Sequence, residues 1–236
     1  MKSLAEQSVA ELGGPVSVLA RQKRDHVKLN QLFKELNATE PSEQDDVLRR
    51  IYRLVFPHAF AEESVLWPVI RRVLPDGEEL TLQIEREHQE VNELVTDLEG
   101  MAVDAPERPR KLARLVEVLR ADVRDEEDVL LPRLQAAVDV DQLRRLGVAW
   151  ETVRRTAPTR AHPVVARRPP GNVVAAVPLS VVDRLRDGVD YAVQHGPSRA
   201  RPALRSTSRG LAGLAHAVER LPGMKRGEDP ATRSRR

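Results

Sequence analysis

The 236-residue chain has no cysteine, few aromatic residues and no long apolar run. The missing cysteines exclude disulfides, zinc–thiolate sites and iron–sulfur clusters, so any transition metal must bind to His, Asp and Glu. Aromatic residues make up only 3% of the chain, so the core must be built from Leu, Val and Ala, which favours helices over β-sandwiches or barrels. No segment approaches the roughly 18 apolar residues of a membrane span, and the N-terminus lacks a signal-peptide core, so we expect a cytoplasmic protein.

The net charge of +2 conceals two parts of opposite sign. Residues 1–140 contain 19 Lys and Arg against 28 Asp and Glu, whereas residues 141–236 contain 19 against 8. Parts that differ this much in charge are physically different objects. We therefore expect an N-terminal tail (1–14), a folded domain (15–140) and a basic C-terminal extension (141–236).

Four stretches of the central domain show the 3.6-residue apolar period at a length that only helices reach. They cover about residues 16–36, 42–74, 76–100 and 106–138. Ser42 and Asp76 are candidate N-caps, and the short connections make neighbouring helices antiparallel. The fold class expected is all-α, an antiparallel up-down four-helix bundle. Kinks or early ends are expected at the helix prolines Pro57, Pro68 and Pro132.

An internal repeat relates the two halves of this domain. Residues 25–36 (DHVKLNQLFKEL) align with residues 87–98 (EHQEVNELVTDL), and residues 58–70 (HAFAEESVLWPVI) align with residues 122–134 (DVRDEEDVLLPRL). The first two helices are thus repeated as the third and fourth. The repeat predicts approximate twofold symmetry and places Asp122 where His58 stands.

Metal-ligating side chains recur in register with this repeat. His58 and Glu62 are four residues apart, so on a helix they project from one face, about 5–6 Å apart at Cβ. Asp122 and Glu126 repeat that spacing, and His26 and His88 occupy matched positions. Every helix therefore offers a ligand, which is how bundles build dinuclear carboxylate sites. The candidate metal ligands are His26, His58, Glu62, His88, Asp122 and Glu126.

The acids beside these ligands have simpler interpretations. Asp25 and Glu87 are expected to be surface acids, and Glu63 and Glu127 either face solvent or orient the ligand imidazoles.

The order of these residues carries a family resemblance. His26 is followed by His58-x-x-x-Glu62-Glu63, by His88 and by Asp122-x-x-x-Glu126-Glu127, with a proline six residues after Glu62 and after Glu126. This pattern resembles the hemerythrin HHE cation-binding domain over about residues 15–140. The resemblance implies a four-helix bundle with two non-heme irons, terminal imidazole ligands and bridging carboxylates from Glu62 and Glu126. A single iron stays an alternative, and manganese or zinc are less favoured.

Two positions depart from the family pattern. Asp122 stands where the family usually has a histidine, so it either ligates directly or through water, or fails to reach and leaves one metal weakly held. Asn92 stands where oxygen-carrying hemerythrins have a second histidine on the third helix. The resemblance therefore implies sensing, redox or peroxide chemistry more than oxygen carriage, with dioxygen, nitric oxide or peroxide as the small ligand. A di-iron oxidase or peroxidase and a non-catalytic scaffold are the alternatives.

The basic extension has the composition of a linker followed by weak helices. Residues 156–172 are Pro-rich, residues 179–194 and 204–221 have helical spacing with little apolar content, and residues 226–236 are expected to be disordered. Its arginines predict either a weak, non-specific anionic partner or a solvated extension, which could rest against the acidic domain of the same chain.

Overall fold

The computed structural model describes residues 1–234, and the regular structure in that part of the chain is entirely helical. Its helices, numbered in chain order, are α1 (Val18–Ala38), α2 (Gln44–Ala61), α3 (Trp67–Val73), α4 (Gly77–Glu99), α5 (Arg108–Asp125), α6 (Leu131–Ala137), α7 (Val140–Thr156), α8 (Gly171–His195) and α9 (Arg201–Glu219). One π-helical turn, Glu62–Leu66, joins α2 to α3, and another, Glu126–Leu130, joins α5 to α6. The all-α class expected from the sequence is confirmed.

The four predicted helices correspond to four long rods. They are numbered in chain order: rod 1 is α1, rod 2 is α2–α3, rod 3 is α4 and rod 4 is α5–α6. Their ends agree with the apolar periodicity to within two residues. The predicted caps do not form. Rod 2 begins after Glu43 rather than Ser42, and the Asp76 carboxylate makes no cap hydrogen bond. Asp76 instead accepts two hydrogen bonds from the Arg133 guanidinium of rod 4, at 2.7 and 2.5 Å, so both of its oxygens are engaged away from the start of α4.

Two buried apolar clusters lie along these rods. The Trp67 cluster takes residues from the start of rod 1, the end of rod 2, the start of rod 3 and the end of rod 4. The Phe33 cluster takes residues from the opposite part of each rod. Because the order of the clusters reverses from each rod to the next, successive rods run in opposite directions. The candidate ligands fall between the two clusters on every rod.

The three helix prolines have different outcomes. Helix α2 continues through Pro57 without interruption. Pro68 and Pro132 are each the second residue of a new α-helix that follows a π-helical turn. Proline cannot donate to the carbonyl one turn back and its ring clashes there, and the wider π turn accommodates both effects.

Helix α7 packs on rods 1 and 2 and adds Leu143, Leu146 and Trp150 to the Trp67 cluster. Gly147 permits the close crossing, because a Cβ at this position would lie 1.9 Å from the carbonyl oxygen of Val16. The extension therefore begins as part of the same core.

The rest of the extension differs from the expected linker, marginal helices and disordered end. Residues 157–170, here called the strap, lie against the rods, with Ala157, Val165 and Ala166 buried. Helices α8 and α9 pack against each other. Residues 226–234 return to the strap, where Glu228 accepts a hydrogen bond from the backbone N–H of Arg167. The expected disorder of residues 226–236 is thus not found up to residue 234, and residues 235–236 lie outside the described part.

Charge pairing holds the strap in place. Arg160 lies 3.4 Å from Glu99, and Arg168 lies 2.7 Å from Glu85. These contacts favour the interpretation that the basic extension rests against the acidic rods of its own chain. Within residues 1–234, no helix combines the length and the hydropathy that crossing a membrane requires.

Candidate metal centre

The structure brings all six candidate ligands together in one buried layer. His26 lies on rod 1, His58 and Glu62 on rod 2, and His88 on rod 3. Rod 4 contributes Asp122 and Glu126. None of the six side chains is exposed, and Glu62 and Glu126 are almost completely buried. The convergence predicted from the register of the repeat is therefore present.

The ring nitrogens and carboxylate oxygens that face one another lie within a few ångströms. His26 Nε2 is 3.1 Å from Glu126 Oε2, and His58 Nε2 is 3.1 Å from Glu62 Oε1. His88 Nε2 is 3.7 Å from Glu62 Oε2 and 3.5 Å from Asp122 Oδ1. Two three-residue groups have the spacing that a metal ion needs, His26–His58–Glu126 and Glu62–His88–Glu126, and they share Glu126.

The atoms that face the centre are short of hydrogen-bond partners. Both carboxylate oxygens of Glu62 and of Glu126, Asp122 Oδ1 and His26 Nε2 are buried without a well-directed hydrogen bond in the described structure, although imidazole nitrogens lie 3.1 Å from one oxygen of each glutamate. Leaving buried charged groups without partners is costly, and native proteins rarely do so without an ion or water. Imidazole and carboxylate donors without thiolate suit iron or manganese. The residues present therefore fit the metal centre that the family resemblance implies.

A ring of acids holds the imidazoles from outside. Glu127 Oε1 lies 2.9 Å from His26 Nδ1, and Glu63 Oε1 lies 2.9 Å from His88 Nδ1. A carboxylate can only accept, so each of these Nδ1 atoms carries a proton, and Nε2 is the nitrogen left to bind a metal ion. Glu63 and Glu127, for which the sequence left orientation or solvent exposure open, thus orient imidazoles.

Asp25 does not lie on the surface, where it was expected together with Glu87. It is buried, and its Oδ2 lies 3.5 Å from His58 Nδ1. Glu87, its counterpart in the repeat, is half-buried. The aligned acids at 25 and 87 were the signal that could have revealed this second layer.

Comparison with known proteins agrees with this geometry. The family model of the hemerythrin HHE cation-binding domain matches residues 17–134. The chain belongs to this family. An uncharacterized hemerythrin-like protein of Schizosaccharomyces pombe is 25% identical over 168 residues, which are 70% of this chain and 82% of that protein. A DNA nickase of Nostoc sp. is 27% identical over 133 residues, which are 56% of this chain but only 37% of the nickase. No solved structure matches.

Burial and mutual repulsion shape the charges of this HHE domain. Burial, followed by the nearby charge of Glu126, raises the pKa of Glu62 and raises the pKa of Asp122 well above its usual range. Three carboxylates in one buried layer repel one another, so a bound cation would stabilise all of them.

The extension touches the HHE domain on two sides. From α7, the indole of Trp150 packs edge-on against His58, with ring centroids 5.2 Å apart. From the strap, the backbone N–H of His162 donates to Asn92 Oδ1 at 2.9 Å, while Asn92 Nδ2 donates to the carbonyl of His88. Arg167 lies 3.8 Å from Glu63. Sequence reasoning missed these contacts because they join residues far apart in the chain.

A small cavity opens directly onto the centre. Its volume is about 20 Å³, and it is lined by candidate ligands, by Asp25 and by apolar residues of which Leu29 and Leu119 are buried. A space of this size holds about one water-sized molecule.

Proposed function

We propose that rods 1–4 form the antiparallel four-helix bundle of a metal-binding protein with a non-heme di-iron centre that binds or senses dioxygen, nitric oxide or peroxide. The observation that carries this proposal is the convergence of six buried side chains from all four rods, four of which have inward atoms without a hydrogen-bond partner in the described structure. Bundles build dinuclear carboxylate centres from facing helices in this way.

The proposed ligands are His26, His58, Glu62, His88, Asp122 and Glu126. Glu126 belongs to both three-residue groups, which supports a bridging position. The two oxygens of Glu62 face different imidazoles, those of His58 and His88, which supports a second bridge. Asp122 Oδ1 lies 3.5 Å from His88 Nε2, close enough to share an ion, so direct ligation is favoured over loss of the second metal.

The surroundings favour a small, uncharged or weakly charged ligand. Iron at this centre would supply reversible binding of, or electron exchange with, a small oxidant. The apolar wall beside the candidate ligands excludes bulky polar substrates, and the cavity of about 20 Å³ suits a diatomic molecule or peroxide. The Nδ1-bound acids Glu63 and Glu127 keep the imidazoles oriented and basic.

Metal analysis tests the proposal directly. Protein purified from iron-supplied cells should contain about two irons per chain, and His58→Ala should lower that content. His195→Ala is the matched control, because His195 is an exposed histidine of α8 remote from the centre. Metal-free wild-type protein after such a preparation would refute the proposal, as would equal iron in the two variants.

An oxidase or peroxidase at the same centre is the enzymatic alternative. Steady-state peroxide consumption that is lost in Glu62→Ala would favour it, whereas a single stoichiometric oxidation would exclude it.

The alternative of a non-catalytic scaffold with an anionic partner has one specific observation behind it, the exposed row Arg201, Arg205 and Arg209 on α9. Salt-sensitive DNA binding that disappears when this row is neutralised would support it. The cytoplasmic location stays a prediction.

A further inference from the structure

A long groove runs along the seam between α1 and α5, on the outside of the candidate metal centre. It consists of a cavity of about 370 Å³ and a second of about 650 Å³, and both are lined by Arg120 and Arg124. The two cavities therefore meet at these two arginines, and together they are here called the groove. Along rod 4 it extends from Pro109 to Glu127, about 27 Å at the helical rise.

The floor of the groove is apolar. Leu29, Phe33 and Leu36 line it from α1 as buried residues, and half-buried Leu112 and Val116 line it from α5. The volume of each cavity lies in the range of small-molecule sites, which are mostly apolar with a few polar groups that fix orientation. An apolar body with one polar group would match this lining.

The polar groups at the middle of the groove are cations without an acid partner. Arg108 pairs with Asp45, and Arg114 pairs with Glu90 at 2.6 Å. Arg120 and Arg124 are exposed on the same helix, and neither has a carboxylate partner in the part of the chain that the structure describes. The Arg120 guanidinium instead lies over the Phe33 ring, 5.5 Å from its centroid. Two guanidiniums one turn apart present the donors that a carboxylate accepts.

We propose that this groove binds a single-chain aliphatic carboxylate, with its head group at Arg120 and Arg124 and its hydrocarbon chain on the Phe33 side of the floor. Charge complementarity selects the anion, and the aliphatic floor selects its tail. A polyphosphate or nucleic acid would leave the floor uncovered, and a neutral lipid would leave both guanidiniums unpaired.

One end of the groove reaches the outer layer of the candidate centre. Glu127 lines the groove and lies 2.9 Å from His26 Nδ1. The occupant therefore lies beside an imidazole of the centre without displacing any candidate ligand. Binding to the groove goes beyond the proposed metal function and does not depend on it.

Calorimetric titration of the full-length protein with decanoate tests the proposal. Wild type should bind one decanoate per chain, and the double variant Arg120→Gln/Arg124→Gln should bind at least about tenfold more weakly, because two charge-assisted contacts are lost. Arg110→Gln is the matched control, since Arg110 is exposed on α5 and lines neither cavity. It should bind like wild type.

Two further measurements separate this site from non-specific adsorption. Asn30→Trp places a bulky side chain into the smaller cavity, which Phe33 lines, from an exposed position and should weaken decanoate binding with both arginines intact. Decan-1-ol, which has the same chain length without the charge, should bind more weakly than decanoate. Unchanged affinity in the double variant, equal affinity for the alcohol, or uptake that does not saturate near one per chain would each overturn the proposal.

Discussion

The two halves of the repeat carry different charges at matched buried positions. In the first half, the Asp25 carboxylate faces His58, and although burial raises the pKa of Asp25, the hydrogen bond from His58 and the charges of His58 and Arg154 lower it to about 2. In the second half, the matched pair is Glu87 and Asp122, two acids. Burial, Glu126 and then other carboxylates, Glu87 among them, raise the pKa of Asp122 well above its usual range.

From this difference we expect the second half to depend more on a bound cation than the first. An acid beside an imidazole is balanced within the protein, whereas two neighbouring acids are not. The covering also differs, because α7 packs on His58 while the strap holds the surroundings of His88. Duplication therefore supplied the frame, and the two halves diverged in charge and in what covers them.

Removing Glu126, which belongs to both three-residue groups, should have the largest effect on metal binding. Glu126→Ala should weaken iron binding at least about a hundredfold, since direct ligands matter at least as much as the outer partners of metal sites. Iron content after dialysis against a chelator measures this. Glu117→Ala, an exposed acid on the same rod, should keep its iron. If Glu126→Ala retains full iron, the two halves do not share a ligand.

The strap over the second half should make stability depend on pH through His162. Burial alone would lower the pKa of His162, but Asp183 at 3.1 Å and Glu219 at 3.6 Å raise it from 6.5 to about 9. A raised pKa means that protonation stabilises the fold, so this contribution is complete below about pH 6.5 and is lost as pH rises through about 9. It amounts to about 3 kcal/mol.

Urea unfolding at pH 6 and pH 10 measures this contribution. The loss of stability between these pH values should be smaller in His162→Gln than in wild type by about that amount. His195→Gln, which changes an exposed histidine, should follow wild type. An equal loss in all three proteins would show that His162 does not carry the pH dependence of the strap.

Asn92 joins the strap to the second half of the repeat, and its substitution should lower stability slightly less than the loss of the His162 charge. Asn92→Leu removes the hydrogen bond that Asn92 Oδ1 accepts from the His162 N–H and the one that Nδ2 donates to the His88 carbonyl, leaving the buried His162 N–H unpaired. We expect the free energy of unfolding to fall by about 2 kcal/mol. Asn37→Leu, at an exposed position of rod 1, should change it far less. Equal losses would remove the distinction between strap-covered and exposed positions.

Making the halves alike should have the smallest effect. Asp122→His restores the imidazole of the first half and removes one of three crowded carboxylates, so the protein should resist iron removal by chelators about tenfold better. Asp122→Asn separates charge from ligation, because it relieves the repulsion and stabilises the metal-free protein while weakening iron binding. If Asp122→His binds iron less well, direct ligation by Asp122 suits this centre better than imidazole.

Most of the rods could be predicted from the sequence, and so could the convergence of the six candidate ligands, whose binding of metal stays a prediction. The apolar period of rods 1–4 and the recurrence of His26, His58 and His88 in register are local patterns, and local patterns survive folding. The π turns were harder, because Pro68 and Pro132 indicate a disrupted helix without specifying how the backbone adapts. Asp25 was misplaced because an acid beside a helix histidine is usually solvated.

The strap could not be predicted for a different physical reason. Its proline-rich composition is that of a flexible linker. Its burial depends on distant partners: Arg168 pairs with Glu85, 83 positions away, and His162 pairs with Asn92, 70 positions away. No local periodicity encodes such pairs. The choice between a solvated extension and one bound to its own acidic rods therefore required the structure.

The indole of Trp150 has a consequence for where this protein can be cut. It fills the space against His58 from sixteen residues beyond the end of the family match at residue 134. A protein cut to the matched segment would lose the Trp150 indole that packs against His58. It would also lose Arg167, which lies beside Glu63, and the strap backbone that binds Asn92. The stretch by which the family is recognised is thus shorter than the unit that must fold together.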